Sequence, residues 1–177
     1  MELKAFIVHM HSCHLIIFTF LGFNWVKVYS HNVSGGFFPG RESTEYSNPD
    51  NPDALKYSIL GDLENYRKDG VFHLRLCYPE FTQYDFPCNE WTQSSNFMHE
   101  KAVTDFNPIE FTFDFRFDGL GLGAPQTPWA FVDGWPWDWR SYWAIGPLYM
   151  SGDGFDGPGA IVKLVNLYVA IGKITWS

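Results

Sequence analysis

The cleanest alternation of apolar and polar positions in the chain runs from Ile109 to Phe117. Ile109, Phe111, Phe113, Phe115 and Phe117 fall on one side. Glu110, Thr112, Asp114 and Arg116 fall on the other. That is the period of a strand with one face in a core and one in water. Burying such a face contributes on the order of 10 kcal/mol before conformational entropy is subtracted, at about 2 kcal/mol per side chain. The same alternation recurs in Trp25–Tyr29, and in Val71–Tyr78, where Phe72, Leu74 and Leu76 oppose His73 and Arg75. Trp91–Ser95, Trp129–Asp133, Tyr142–Met150 and Ala160–Val169 read as further strands, separated by Gly- and Pro-punctuated loops such as 35–40, 118–124 and 151–159. Lys163 and Asn166 are the only polar residues of the last strand, so both of its faces are expected to be largely buried.

One stretch has a helical period instead. Asn51 is a cap residue, Pro52 suits the first helical position, and Asp53 places negative charge in the first turn. Leu55, Ile59, Leu63 and Tyr66 recur at helical spacing; Arg67 and Lys68 close the pattern and Gly70 can end it. This predicts one amphipathic helix over about 52–68. Many short strands and one helix predict an all-β domain: an antiparallel β-sandwich of jelly-roll type, with a β-barrel as the alternative.

Composition narrows the function classes. The 177 residues include 17 Phe, 9 Tyr and 8 Trp, too aromatic a chain for disorder. The net charge of −8 repels phosphate backbones and argues against nucleic acid as a partner. Lys4, then Phe6–Val8 and Leu15–Phe23, fit a secretory signal peptide over 1–24, which leaves a domain at 25–169 and a tail at 170–177. His9, His11 and His14 interrupt the apolar run, so a retained anchor and a buried N-terminal strand stand as alternatives. The run is shorter than the roughly 20 residues of a comfortable membrane span, and no insertion is expected unless the leader is retained. Removing the leader removes Cys13 and leaves Cys77 and Cys88. An even pair in an exported chain reads as a disulfide. Asn32-Val33-Ser34 is then a glycosylation sequon at Asn32.

Several segments, in order, carry a resemblance: "WVKVYS", "NPDNPDALKYSILGDLENYRKDGVFHLRLCYPE", "CNEWTQSSN", "GLGLGA", "YWAIG" and "GPGAIVKLVNLYV". Over Trp25–Val169 the chain resembles an uncharacterised extracellular module of secreted, often multidomain proteins of corals, sea anemones and related invertebrates. The resemblance implies an extracellular setting and a bonded pair of cysteines, and supplies no catalytic residue. The chain departs from the module's pattern at Phe97, which stands in place of a proline, and in its Trp-Pro-Trp-Asp-Trp segment.

That segment is the first candidate for chemistry. Trp135, Trp137 and Trp139 lie between Asp133 and Arg140. Exposed, they offer aromatic faces for sugar rings and charged groups for hydroxyls; packed inward, they cap the domain. Asp153 and Asp156, in a glycine-rich loop, are calcium candidates, as are Asp50 and Asp53, without EF-hand spacing. His73 and His99 alone do not make a zinc site. Glu80, Glu90 and Glu110 could supply two carboxylates for glycoside cleavage, and there is no G-x-S-x-G nucleophile motif. The expectation is therefore a secreted, non-enzymatic binding module for an extracellular glycan or protein, in adhesion or matrix. It needs no cofactor unless calcium is bound. A secreted carbohydrate-active hydrolase on a jelly-roll scaffold and a structural matrix protein are the alternatives.

Overall fold

A computed structural model of the chain describes residues 4–10, 13–20, 23–36, 38–39, 41–113, 117–122, 131–132, 144–145, 155–156 and 161–173. The strands among them, in chain order, are β1 (Lys4–Met10), β2 (Cys13–Phe20), β3 (Phe23–Asn32), β4 (Lys56–Ser58), β5 (Phe72–Cys77), β6 (Cys88–Gln93) and β7 (Asn107–Phe111). They are followed by β8 (Gly121–Leu122), β9 (Phe131–Val132), β10 (Ala144–Ile145), β11 (Phe155–Asp156), β12 (Ile161–Val162) and β13 (Leu164–Lys173). Every pairing is antiparallel, and the fold is all-β.

The large sheet has the order β1-β2-β3-β13-β5-β6-β7, with β4 added beside β3. It stays open between β1 and β7 and does not close into the barrel considered as an alternative. The small sheets are β10-β9-β8 and β11-β12. The last strand lies at the centre, bonded to β3 along Phe23–Asn32 and to β5 along Leu74–Cys77. Folding must therefore bring the two ends of the chain together before the middle of the sheet exists, a non-local and slow arrangement. The strand also continues past the expected end at Val169 to Lys173, with Ala170 buried. Residues assigned to the leader pair with β3: Ile17 faces Val26 and Phe18 faces Trp25.

One face of this sheet is the core. Val26, Tyr29, Phe72, Leu74, Leu76, Trp91, Val165, Leu167 and Val169 belong to a single buried cluster with Leu60, Leu63, Phe97, Phe113, Phe117 and Leu120. A bulge shifts the phase of β3. Lys27 pairs with Tyr168 but Tyr29 pairs with Leu167, so Val28 is the extra residue. Tyr29 thereby joins Val26 in the core cluster, against the simple alternation of Trp25–Tyr29. Phe97 is fully buried.

The expected helix over 52–68 is a correction. Lys56–Ser58 is a strand on β3, and a 3-10 helix occupies Leu60–Tyr66. Pairing with β3 buries Tyr57 and Ser58. Tyr57 is buried and donates its hydroxyl to the Lys27 carbonyl, and Leu60 and Leu63 enter the core while Leu55 stays exposed. Gly70 does not cap a helix either. Asp69 and Gly70 have φ of 50° and 84° between the bridged residues Lys68 and Val71, as a two-residue hairpin with both central residues at positive φ requires. A five-residue α-helix, α1 (Arg41–Glu45), lies in the expected loop. The alternation over 109–117 is also split. Ile109 is 49% exposed on the edge strand β7, while Phe113 and Phe117 are core.

The polar residues after Cys88 explain why so much of this segment is buried. Asn89 bonds both backbone groups of Phe113, at 2.9 and 3.0 Å. Trp91 Nε1 donates to Gln93 Oε1 at 2.8 Å. Gln93 also receives the Leu120 amide and donates to the Ser95 and Leu120 carbonyls. Asn96 caps the following turn through the Met98 amide. These side chains hold the crossing loops to the sheet, and each of the four has a specific partner.

Candidate functional site

The opposite face of β5 and β6 carries charge. Cys77 pairs with Cys88 across the two strands and the two form a disulfide, with Cα atoms 4.1 Å apart. The register this fixes sets Arg75 opposite Glu90 and His73 opposite Thr92. Glu90 is 2% exposed and engaged at both oxygens. Arg75 Nη2 donates to Oε2 at 2.6 Å and Arg75 Nε to the same oxygen at 3.1 Å. His73 Nε2 lies 2.7 Å from Oε1. An ionised carboxylate only accepts, so Nε2 carries the proton and a neutral His73 keeps its lone pair on Nδ1. Burial pushes the Glu90 carboxyl up, but the bonds from His73 and Arg75 outweigh it and hold it below the usual range. Burial likewise lowers Arg75 against the opposing pull of Glu90.

Aromatic rings enclose the cluster. The Arg75 guanidinium lies 4.0 Å over the Trp25 ring and 4.9 Å from Phe86. His73 is packed edge-on by Phe23 at 4.8 Å and Trp25 at 4.9 Å. Tyr168 pairs with Arg75 across β13, and burial pushes its hydroxyl up to about 12, with Arg75 opposing. On the outer side of His73 a groove of about 320 Å³ opens, lined by Phe23, Lys68, Asp69, Val71, His73, Thr92, Ala170 and Gly172. The hairpin turn supplies its two charged residues, and the sheet supplies the rest.

The other sequence-level candidates fall as follows. Asp133, Trp135, Trp137, Trp139, Arg140 and Asp153 lie outside the described residues. Asp156 is in β11, its backbone paired with Ile161. Asp53 is 3.9 Å from Lys27 Nζ, and no group of three His, Cys, Asp or Glu able to hold a metal occurs among the described residues. Asn32 accepts at Oδ1 from the Ser34 amide at 3.0 Å and the Ser34 hydroxyl at 2.7 Å, at the start of a 3-10 turn. Glu110 is exposed opposite Glu90, and Glu80 accepts from the backbone amides of Lys163 and Leu164. No described helix is long and apolar enough to cross a membrane. Sequence reading placed His73 and Arg75 on one polar face but missed their joining to Glu90. The signal was available: if Cys77 faces Cys88 in an antiparallel pair, the residue two before the first faces the residue two after the second.

Comparison of the chain with protein-family models, with curated proteins and with solved structures returns no match.

Proposed function

We propose that this chain is a secreted extracellular module that binds a glycan or a protein in an adhesion or matrix setting, rather than an enzyme. The observation that carries the reading is the Cys77–Cys88 bridge, placed across the two strands that also carry Arg75, Glu90 and His73. Such cross-links persist in oxidising compartments. This one fixes the β5–β6 register beside an open groove, which suits recognition. The disposition of carboxylates favours binding over glycoside cleavage. Glu90 is spent on His73 and Arg75, and its strand neighbour Glu110 is exposed to solvent. A glycosidase needs two carboxyl groups facing one cleft about 5–10 Å apart. Asn32 is a proposed glycosylation site in this setting, and residues 133–140 are a proposed second contact surface. The reading is tested by recovering the protein from the medium of expressing cells and applying it to a glycan array with and without calcium. Retention on a defined glycan class supports it. Failure to leave the cell, or secreted material with free Cys77 and Cys88 thiols, contradicts it.

A further inference from the structure

The groove beside His73 has the make-up of a site for one neutral sugar ring, and we propose that it is one; the inference rests on the reading of the chain as a binding module. Its 320 Å³ lies at the small end of ligand pockets, which span about 300–1,000 Å³, so it admits a small ligand rather than a peptide segment. Its lining mixes functions that a polyol requires together. Lys68 donates, Asp69 accepts, and the Thr92 hydroxyl does both. His73, in its neutral form, offers Nδ1 as an acceptor held in one orientation. Its Nε2 is fixed on Glu90, which Arg75 fixes in turn, and Nδ1 has no hydrogen-bond partner among the described residues. Phe23, Val71 and Ala170 add the apolar contact that the C–H face of a sugar ring needs. The adjacent opposite charges of Lys68 and Asp69 cancel, which favours a neutral ring over a sugar acid or an amino sugar. Each group sits on a strand or a two-residue turn, so little order is lost on binding. A leader cut after Asn24 would remove Phe23 from this lining, so the titration uses the full chain.

The test is calorimetric titration of the full chain with neutral methyl hexosides, with methyl uronates as the charged comparison. Two groove variants are used. Asp69→Gly deletes the carboxylate at a position of φ 50° that glycine adopts freely, and Val71→Trp fills the space. A third variant, Trp135→Ala with Trp137→Ala and Trp139→Ala, alters the other proposed surface. The inference predicts that a neutral hexoside binds. Asp69→Gly should weaken it by about tenfold or more, the effect of losing one hydrogen bond to a charged group; Val71→Trp, by occupying the groove, should abolish it; and the tryptophan variant should leave it unchanged. Two groove variants guard against misfolding of either, checked by unchanged circular dichroism. Hexoside binding unaffected by both groove variants, or lost in the tryptophan variant alone, overturns the groove assignment and leaves the binding-module reading intact. So does retention of an array glycan or a protein by a chain that binds no hexoside. Preference for the uronates overturns the assignment to a neutral ring. A chain that binds no hexoside, no array glycan and no protein overturns both.

Discussion

Acidification should destabilise this protein well above the carboxylate range, through His31. The residue is fully buried in β3. Its Nε2 lies 3.1 Å from the Gly36 carbonyl, its Nδ1 lies 3.4 Å from the Tyr29 hydroxyl, and the Phe38 ring packs edge-on at 4.9 Å. Burial lowers its pKa to about 4; the bond to Gly36 works against that, and the charge of Lys56, its cross-strand partner, adds to it. In the unfolded chain the imidazole takes up its proton near the ordinary value of about 6.5. Between those two values the unfolded state holds more protons than the folded one. Stability is therefore full above about pH 6.5 and declines as the pH falls towards about 4. The gap corresponds to on the order of 3 kcal/mol, a large share of a typical domain's stability. Glu64 acts in a different window. Its salt bridge and hydrogen bond with Arg67, working against burial and helped by the bond from Asn96, hold its pKa at about 2, so its contribution is present above the ordinary carboxyl range and lost below it. Urea unfolding midpoints followed from about pH 7 to about pH 4.5 read out the His31 effect. The wild-type midpoint should fall through the upper part of that range. His31→Gln, which cannot protonate, should start lower at neutral pH and stay nearly flat down to about pH 5. An equal decline in the variant, or a flat wild type, would refute the reasoning.

Two other perturbations follow from the polar face of the sheet. Replacing both Cys77 and Cys88 by Ala should cost about 2–3 kcal/mol on the chain-entropy view of a loop this short; a denaturation midpoint unchanged from the oxidised protein would contradict the stapling role. Arg75→Met should leave Glu90 buried without its main counter-charge and cost about 3–5 kcal/mol. Arg75→Met combined with Glu90→Gln should recover much of that loss, and a strictly additive double-mutant cycle would contradict the coupling.

The strands β5 and β13 were legible because their apolar residues alternate against polar ones or fill the run, and turn-forming Gly and Pro residues mark their ends; β6 was expected only at Trp91–Ser95, because Asn89 and Glu90 leave Cys88–Gln93 without an apolar alternation. The disulfide was legible from cysteine parity. The helix over 52–68 was misread because Leu55, Ile59 and Leu63 satisfy a helical period while Tyr57 and Ile59 also satisfy a strand period. Pairing of Lys56–Ser58 with β3, a contact remote in sequence, decided between them. The bulge at Val28 was invisible for the same kind of reason, since it exists to match β3 to β13. Ile109 read as core because period reports which residues share a face and not whether that face is covered; at the sheet edge it is 49% exposed. The charged cluster needed the strand register before Arg75 and Glu90 could be seen as neighbours. The groove needed the Asp69-Gly70 turn, which sequence reading had assigned to a helix end.

The most direct measurement of the account is an amide chemical-shift map of the isotope-labelled full chain with the tightest-binding neutral sugar. The account predicts perturbations clustered at Phe23, Lys68, Asp69, Val71, His73 and Thr92. Perturbations confined to residues 133–140 would contradict the groove as the binding site, and a spectrum unchanged by any sugar, glycan or protein partner would contradict the function itself.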